Sequence, residues 1–255
     1  MKRKILSGIF MISSLVTLSQ AEITTLNDAI NKAGKQRMLS QRMMKDYSMI
    51  GMKITFGSPQ EELQKSADLF SVTLVDLLAF AKERDKPSFE ALQEVDTLWE
   101  PLKKELLSPP NKDKVVEIFN SVNQLLAAAH KATNAIAATS KESTGEIINV
   151  SGRQRMLSQR LASLYMLKVW GVGMDDSDLK KSMDQFSDAQ KKLEAFPKNT
   201  DKINAGLLAV KKDFMFFEVL GVSKSKKFIP SLIARSSNKI TKKMNDVTKL
   251  YVDVK

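Results

Sequence analysis

The chain of 255 residues contains no cysteine, so no disulfide can hold it together. Stability has to come from packed apolar surface, and the chain is long enough to supply it. Glycine and proline are scarce, with 10 and 7 residues, and they sit at boundaries between apolar-periodic segments. Aromatic residues make up only 7% and do not interleave with lysine and arginine, which argues against stacking on nucleic acid. There is a single histidine, His130, with no cysteine or second histidine beside it. A metal site is therefore not expected, and no cofactor is implied. No nucleophile–base constellation stands out, so the chain does not read as an enzyme.

What is abundant is positive charge. Forty basic residues against 29 acidic ones give +11. The first residues read as an export leader: Lys2, Arg3 and Lys4 precede an apolar run from Ile5 to Leu18, and Ser19-Gln20-Ala21 offers small residues before a cut after Ala21. Removal of 1–21 would lower the charge to +8 (11 − 3) and place the mature protein in the periplasm or outside the cell. An uncleaved anchor is the alternative, but the run is short for a span of about 20 residues. Methionines crowd the stretch after it, among them Met38, Met43, Met44, Met49 and Met52. They spread around a helix rather than forming one ligand face, which fits core filling better than copper binding.

Between the breaks, apolar residues recur at spacings of three and four, as in Leu63, Ala67, Phe70, Leu74, Leu77 and Leu78, and no segment alternates with period two. The fold class is all-α. Ser58-Pro59-Gln60-Glu61 has the letters of a capping box with proline in the first helical position. The expected helices are 26–56, 60–84, 88–107 and 112–141, then 142–170, 177–196, 201–221 and 228–253. Four helices of this length with short connections close as an up-down bundle, so 22–141 and 142–255 are expected as two tandem bundles. No proline lies near Thr139–Gly145, so the fourth helix is expected to run almost directly into the fifth.

The sharpest feature is a repeat. The seven residues QRMLSQR begin at Gln36 and again at Gln154, and the glycines before them, Gly34 and Gly152, are 118 positions apart (152 − 34). On a helix, Leu39, Met43, Tyr47, Ile50 and Ile54 form the stripe that packs into the bundle. Ala33, Gly34, Arg37 and Gln41 lie well away from it. Glycine inside a helix costs about 1 kcal/mol relative to alanine, so two matched glycines point to close approach by a helix or a ligand. An arginine beside such a notch offers a fork of donors suited to a planar oxyanion. Read from the residues alone, ion pairing with a neighbouring carboxylate explains the arginines as well.

Ile30–Lys45, INKAGKQRMLSQRMMK, and Ile148–Ser163, INVSGRQRMLSQRLAS, resemble the P-box of sensor domains of the PilJ/NarX type, found in nitrate/nitrite sensor kinases and type IV pilus chemotaxis transducers. That resemblance implies an exported four-helix sensory bundle whose first helices meet at an interface, one arginine from each gripping nitrate or nitrite. Carried over, the anion ligands are Arg37 and Arg155, with Gly34 and Gly152 admitting the backbone. Arg42, Arg160, Gln41 and Gln159 match the motif in supporting places. Neither a second apolar span nor a signalling module follows the second copy, so the expectation is a binding protein serving a separate membrane sensor or chemoreceptor. Either Arg37 and Arg155 meet within one chain, as an intramolecular pseudo-dimer, or the chain forms a homodimer. The competing reading is a ligand-free helical module that docks on a receptor or envelope component; adhesion to anionic lipid or polymer through the basic surface is weaker.

Overall fold

The computed structural model describes residues 23–140, 143–173, 176–222 and 229–254, so the leader assigned to 1–21 lies outside the described residues. Eight α-helices account for nearly all of them: α1 Leu26–Gly51, α2 Pro59–Lys82, α3 Lys86–Leu106, α4 Val115–Ala138, α5 Ser143–Trp170, α6 Asp176–Glu194, α7 Asp201–Val222 and α8 Pro230–Val252. No strand occurs among the described residues, and none of these helices is long and apolar enough to cross a membrane.

Local chemistry sets the ends. Thr25 caps α1 by accepting from the Asp28 amide, and Asp85 caps α3 by accepting from Ser88 at 2.8 Å. α1 stops at Gly51 rather than at 56, because Lys53 takes a left-handed backbone (φ 58°). The capping box at Ser58 is not formed. Ser58 is itself left-handed (φ 51°, ψ 58°), outside the extended region that aims a cap hydroxyl at the first-turn amides, so only Pro59 at the helix start agrees with that reading.

α1 packs on α2 and α4, with α3 closing the ring; α5, α6, α7 and α8 repeat the arrangement. The two cores match residue for residue. Phe70 lies against Trp99 with ring centroids 4.2 Å apart, and Phe186 stacks on Phe214 at 4.0 Å. Tyr47 accepts a hydrogen bond from the Asn111 amide at 3.0 Å, and Tyr165 accepts from Ile229 at 2.8 Å.

The most extensive helix contact joins the halves, α1 against α5. Gly34 meets Gly152, Gln41 meets Arg160, and the Trp170 indole lies so close to Gly51 that no β-carbon would fit there. The two helices therefore run parallel. α4 ends at Ala138 and α5 begins at Ser143, and the two are antiparallel, with Asn149 beside Asn134 and Arg160 beside Asn123, so α5 does not carry on along the line of α4 as expected. This geometry also changes the reading of α1. Its Leu39 stripe does enter the bundle, but the opposite face is not a surface: it is covered by α5, and almost every residue from Ala29 to Met49 is buried.

Phe186 is fully buried and stacked, so Phe186→Ala should lower the unfolding free energy by about 3–5 kcal/mol in denaturant titration.

Candidate anion site

Where α1 crosses α5, the backbones approach as far as side chains of hydrogen allow. A β-carbon on Gly34 would lie 3.7 Å from Cα of Gly152, and one on Gly152 would lie 3.6 Å from Cα of Gly34. The space beside this crossing is taken by the two arginines. From the β-carbon position on Gly34, Nη2 of Arg37 is 3.2 Å away and Nη2 of Arg155 is 3.3 Å away. The two guanidinium groups thus end at one point, one from each half of the chain.

Their other contacts obey the same pseudo-two-fold symmetry. Nη2 of Arg37 donates to the backbone carbonyl of Asn149 at 3.1 Å, and Nη2 of Arg155 donates to that of Asn31 at 3.2 Å, so each arginine reaches into the opposite half. On the far side, Nη1 of Arg155 donates to Oδ1 of Asn245 at 3.0 Å, while Nη1 of Arg37 meets Nδ1 of His130 at 3.1 Å. All of these partners are neutral. Among the described residues neither arginine has a carboxylate within ion-pair distance, and Nε of each is buried without a hydrogen bond.

Two buried cations without counter-charge are electrostatically unfavourable. Burial first, then the nearby Arg153 and Arg155, push Arg37 down to about 9; burial pushes Arg155 down to about 10. Both remain protonated at neutral pH. His130 takes the reciprocal role. Arginine only donates, so Nδ1 is an acceptor and the ring proton sits on Nε2, which bonds the Asn134 side chain at 3.1 Å once that amide turns its oxygen to the ring. With that orientation the Asn134 NH2 donates to the Asn149 side-chain oxygen across 2.9 Å, which gives the otherwise partnerless Oδ1 of Asn149 a donor and closes a loop that returns to Arg37 through the Asn149 carbonyl. Sequence reading placed His130 at a surface or a satisfied edge; it is half-buried and satisfied, and it holds a site arginine.

The remaining residues of the repeated block fix the crossing. Gln36 and Gln154 donate to the carbonyls of Phe70 and Phe186, tying α1 to α2 and α5 to α6. Arg160 donates to Gln41 at 3.3 Å and to Asn123 at 2.7 Å, across the halves. The equivalent pair, Gln159 and Asn238, receives Lys45 instead, at 3.1 Å and 3.0 Å. Lys45 also pairs with the adjacent buried Asp46 at 3.3 Å; burial lowers the lysine and raises the aspartate, each opposed by its partner. Arg42 stands apart from these contacts, its Nε buried and without a partner among the described residues. Sequence reasoning missed Lys45, Asn123, Asn238 and Asn245. One signal was available, since Ser163 stands where the repeat of Lys45 would be.

A cleft of about 390 Å³ opens beside Arg37, between α4 and the second half, and Arg153 and Arg160 also line it.

The sequence profile of type IV pili methyl-accepting chemotaxis transducer N-terminal regions, the PilJ family, matches residues 18–134 and again residues 136–212. The chain belongs to the PilJ family. It carries two copies of a helical sensory or interaction module, a family of sensory domains rather than of enzymes. The second match stops within α7, yet α8 completes that copy: Asn238 and Asn245 stand 115 positions after Asn123 and His130 and fill the same places in the PilJ framework. No curated protein and no solved structure matches the chain.

His130 titrates at about 4 in the folded chain against 6.5 when free, because burial and then the Arg37 and Arg153 charges disfavour its protonated form. The unfolded chain therefore takes up the proton first on acidification. Stability from this group is complete above about 6.5 and is lost as pH falls towards about 4. His130→Asn, which copies Asn245, keeps an acceptor for Arg37 and should lose less stability across that window than the parent protein. Parallel pH curves for the two in urea titration would contradict the assignment.

Proposed function

We propose that the α1–α5 crossing binds a small planar oxyanion, nitrate or nitrite first, between Arg37 and Arg155. The observation that carries this reading is the convergence of two buried, carboxylate-free guanidinium groups on one point. A monoanion there converts mutual repulsion into two charge-assisted pairs. At about 1.5–3 kcal/mol each, these correspond to affinity between millimolar and micromolar. Gly34 and Gly152 supply the close approach that brings the arginines together. Gln41 with Arg160, and Gln159 with Lys45, hold the register of the two helices, and Arg42 takes a supporting place beside them. In this reading the protein is an intramolecular pseudo-dimer made of tandem domains, 22–141 and 142–255. It is exported by its leader, and it reports occupancy to a separate membrane sensor or chemoreceptor.

A specific observation favours a second reading, a ligand-free interaction module. Leu208, Met215 and Val219 are exposed along one stripe of α7, whereas the matching positions of α3 are Gln93, Glu100 and Lys104. An apolar outer face on α7 that its counterpart α3 lacks suits docking on a partner.

Ligand binding raises the melting temperature in proportion to RT ln(1 + [L]/Kd), so nitrate and nitrite should stabilise the protein where chloride at equal ionic strength does not. Arg37→Ala and Arg155→Ala should each weaken nitrate binding about tenfold or more in calorimetry. Nitrate affinity unchanged in both variants overturns the proposal.

A further inference from the structure

The cleft beside Arg37 is a different place from the crossing. Arg155 turns away to Asn245, while Arg37, Arg153 and Arg160 line the cleft together with the apolar side chains of Leu126, Ala127 and Met156. Its volume of about 390 Å³ falls in the range of small-molecule pockets and exceeds what a single nitrate fills.

Three features make it a receptor for negative charge. No aspartate or glutamate lines it. Arg153 has no ion pair among the described residues, and its charge is felt by both Arg37 and His130. Arg160 is fixed at the rim by Asn123 and Gln41 and lies over the Phe119 ring at 5.9 Å; the field of Asp178 reaches it without closing an ion pair. Guanidinium forks around an apolar floor, those of Arg37 and Arg160 fixed by hydrogen bonds, suit carboxylates joined by a short hydrocarbon spacer: the forks take the two ends and Leu126, Ala127 and Met156 cover the middle. The residues around it are not repeated on the other side. The position equivalent to Arg153 is Lys35, and Gln159 and Asn238 bind Lys45 where Gln41 and Asn123 bind Arg160.

We infer that this cleft is a second anion site, selective for a short dicarboxylate, and that it works independently of the oxyanion at the crossing although Arg37 borders both. The test is calorimetry on the full chain with succinate, acetate, inorganic phosphate and nitrate, for the parent and for Arg153→Gln. The expected result is succinate binding that weakens about tenfold or more in Arg153→Gln while nitrate affinity changes by much less, because Arg153 reaches Arg37 only through its field. Equal succinate affinity in the two proteins overturns the site, as does the absence of succinate binding to the folded parent at millimolar concentration. Acetate binding as tightly as succinate overturns selectivity for two carboxylates, and phosphate binding more tightly than succinate overturns the dicarboxylate class. Loss of nitrate binding with succinate retained in the parent counts against the crossing alone.

Discussion

Two glycines let two helices come close enough for a pair of arginines to be buried against each other without counter-charge, and the rest of the molecule is arranged around that contact. Any side chain at Gly34 or Gly152 would press on both guanidinium groups. Removing charge from water is expensive, and here the compensation comes from backbone carbonyls, an imidazole and an amide, all neutral. Such a site is unfinished electrostatically. It is most favourable when something anionic completes it.

The seven-residue repeat is the sequence form of this reciprocity. Three of the letters that recur make the same contact in both halves: Gln36 and Gln154 tie the helix to its own bundle, Arg37 and Arg155 reach the other, and Ser40 and Ser158 bond back to the arginine carbonyls at 2.8 Å. Where the copies differ, the two sides of the crossing differ in their contacts. His130 stands opposite Asn245, and Lys45 opposite Ser163, so a guanidinium holds Gln41 and Asn123 on one flank and an ammonium holds Gln159 and Asn238 on the other.

Helical class, the number of helices and most of their limits are legible in the sequence, because periodicity and the few glycines and prolines report local backbone preference. Close approach at Gly34 and Gly152 is legible too, since two costly helix glycines in one repeated block call for it, but whether a ligand, a second chain or the other copy approaches is not. What was not legible depends on how distant segments meet. The direction of α5 relative to α4 turns on a reversal of a few residues without glycine-rich or proline-rich signals. The role of His130 depends on α4 passing behind Arg37, 93 positions away in the chain, and no local pattern encodes that. Ser58 shows the converse, a local signature overruled by a left-handed turn that the preceding loop requires.

The central claim is that these arginines are kept for a ligand at the expense of the fold. The most direct measurement is the unfolding free energy of the double variant Arg37→Met/Arg155→Met in a buffer free of small oxyanions. Apolar side chains of similar length remove two uncompensated charges, so the account predicts a variant equal to or more stable than the parent. A loss of about 3 kcal/mol or more, the scale seen when a buried charge network is structural, would contradict it.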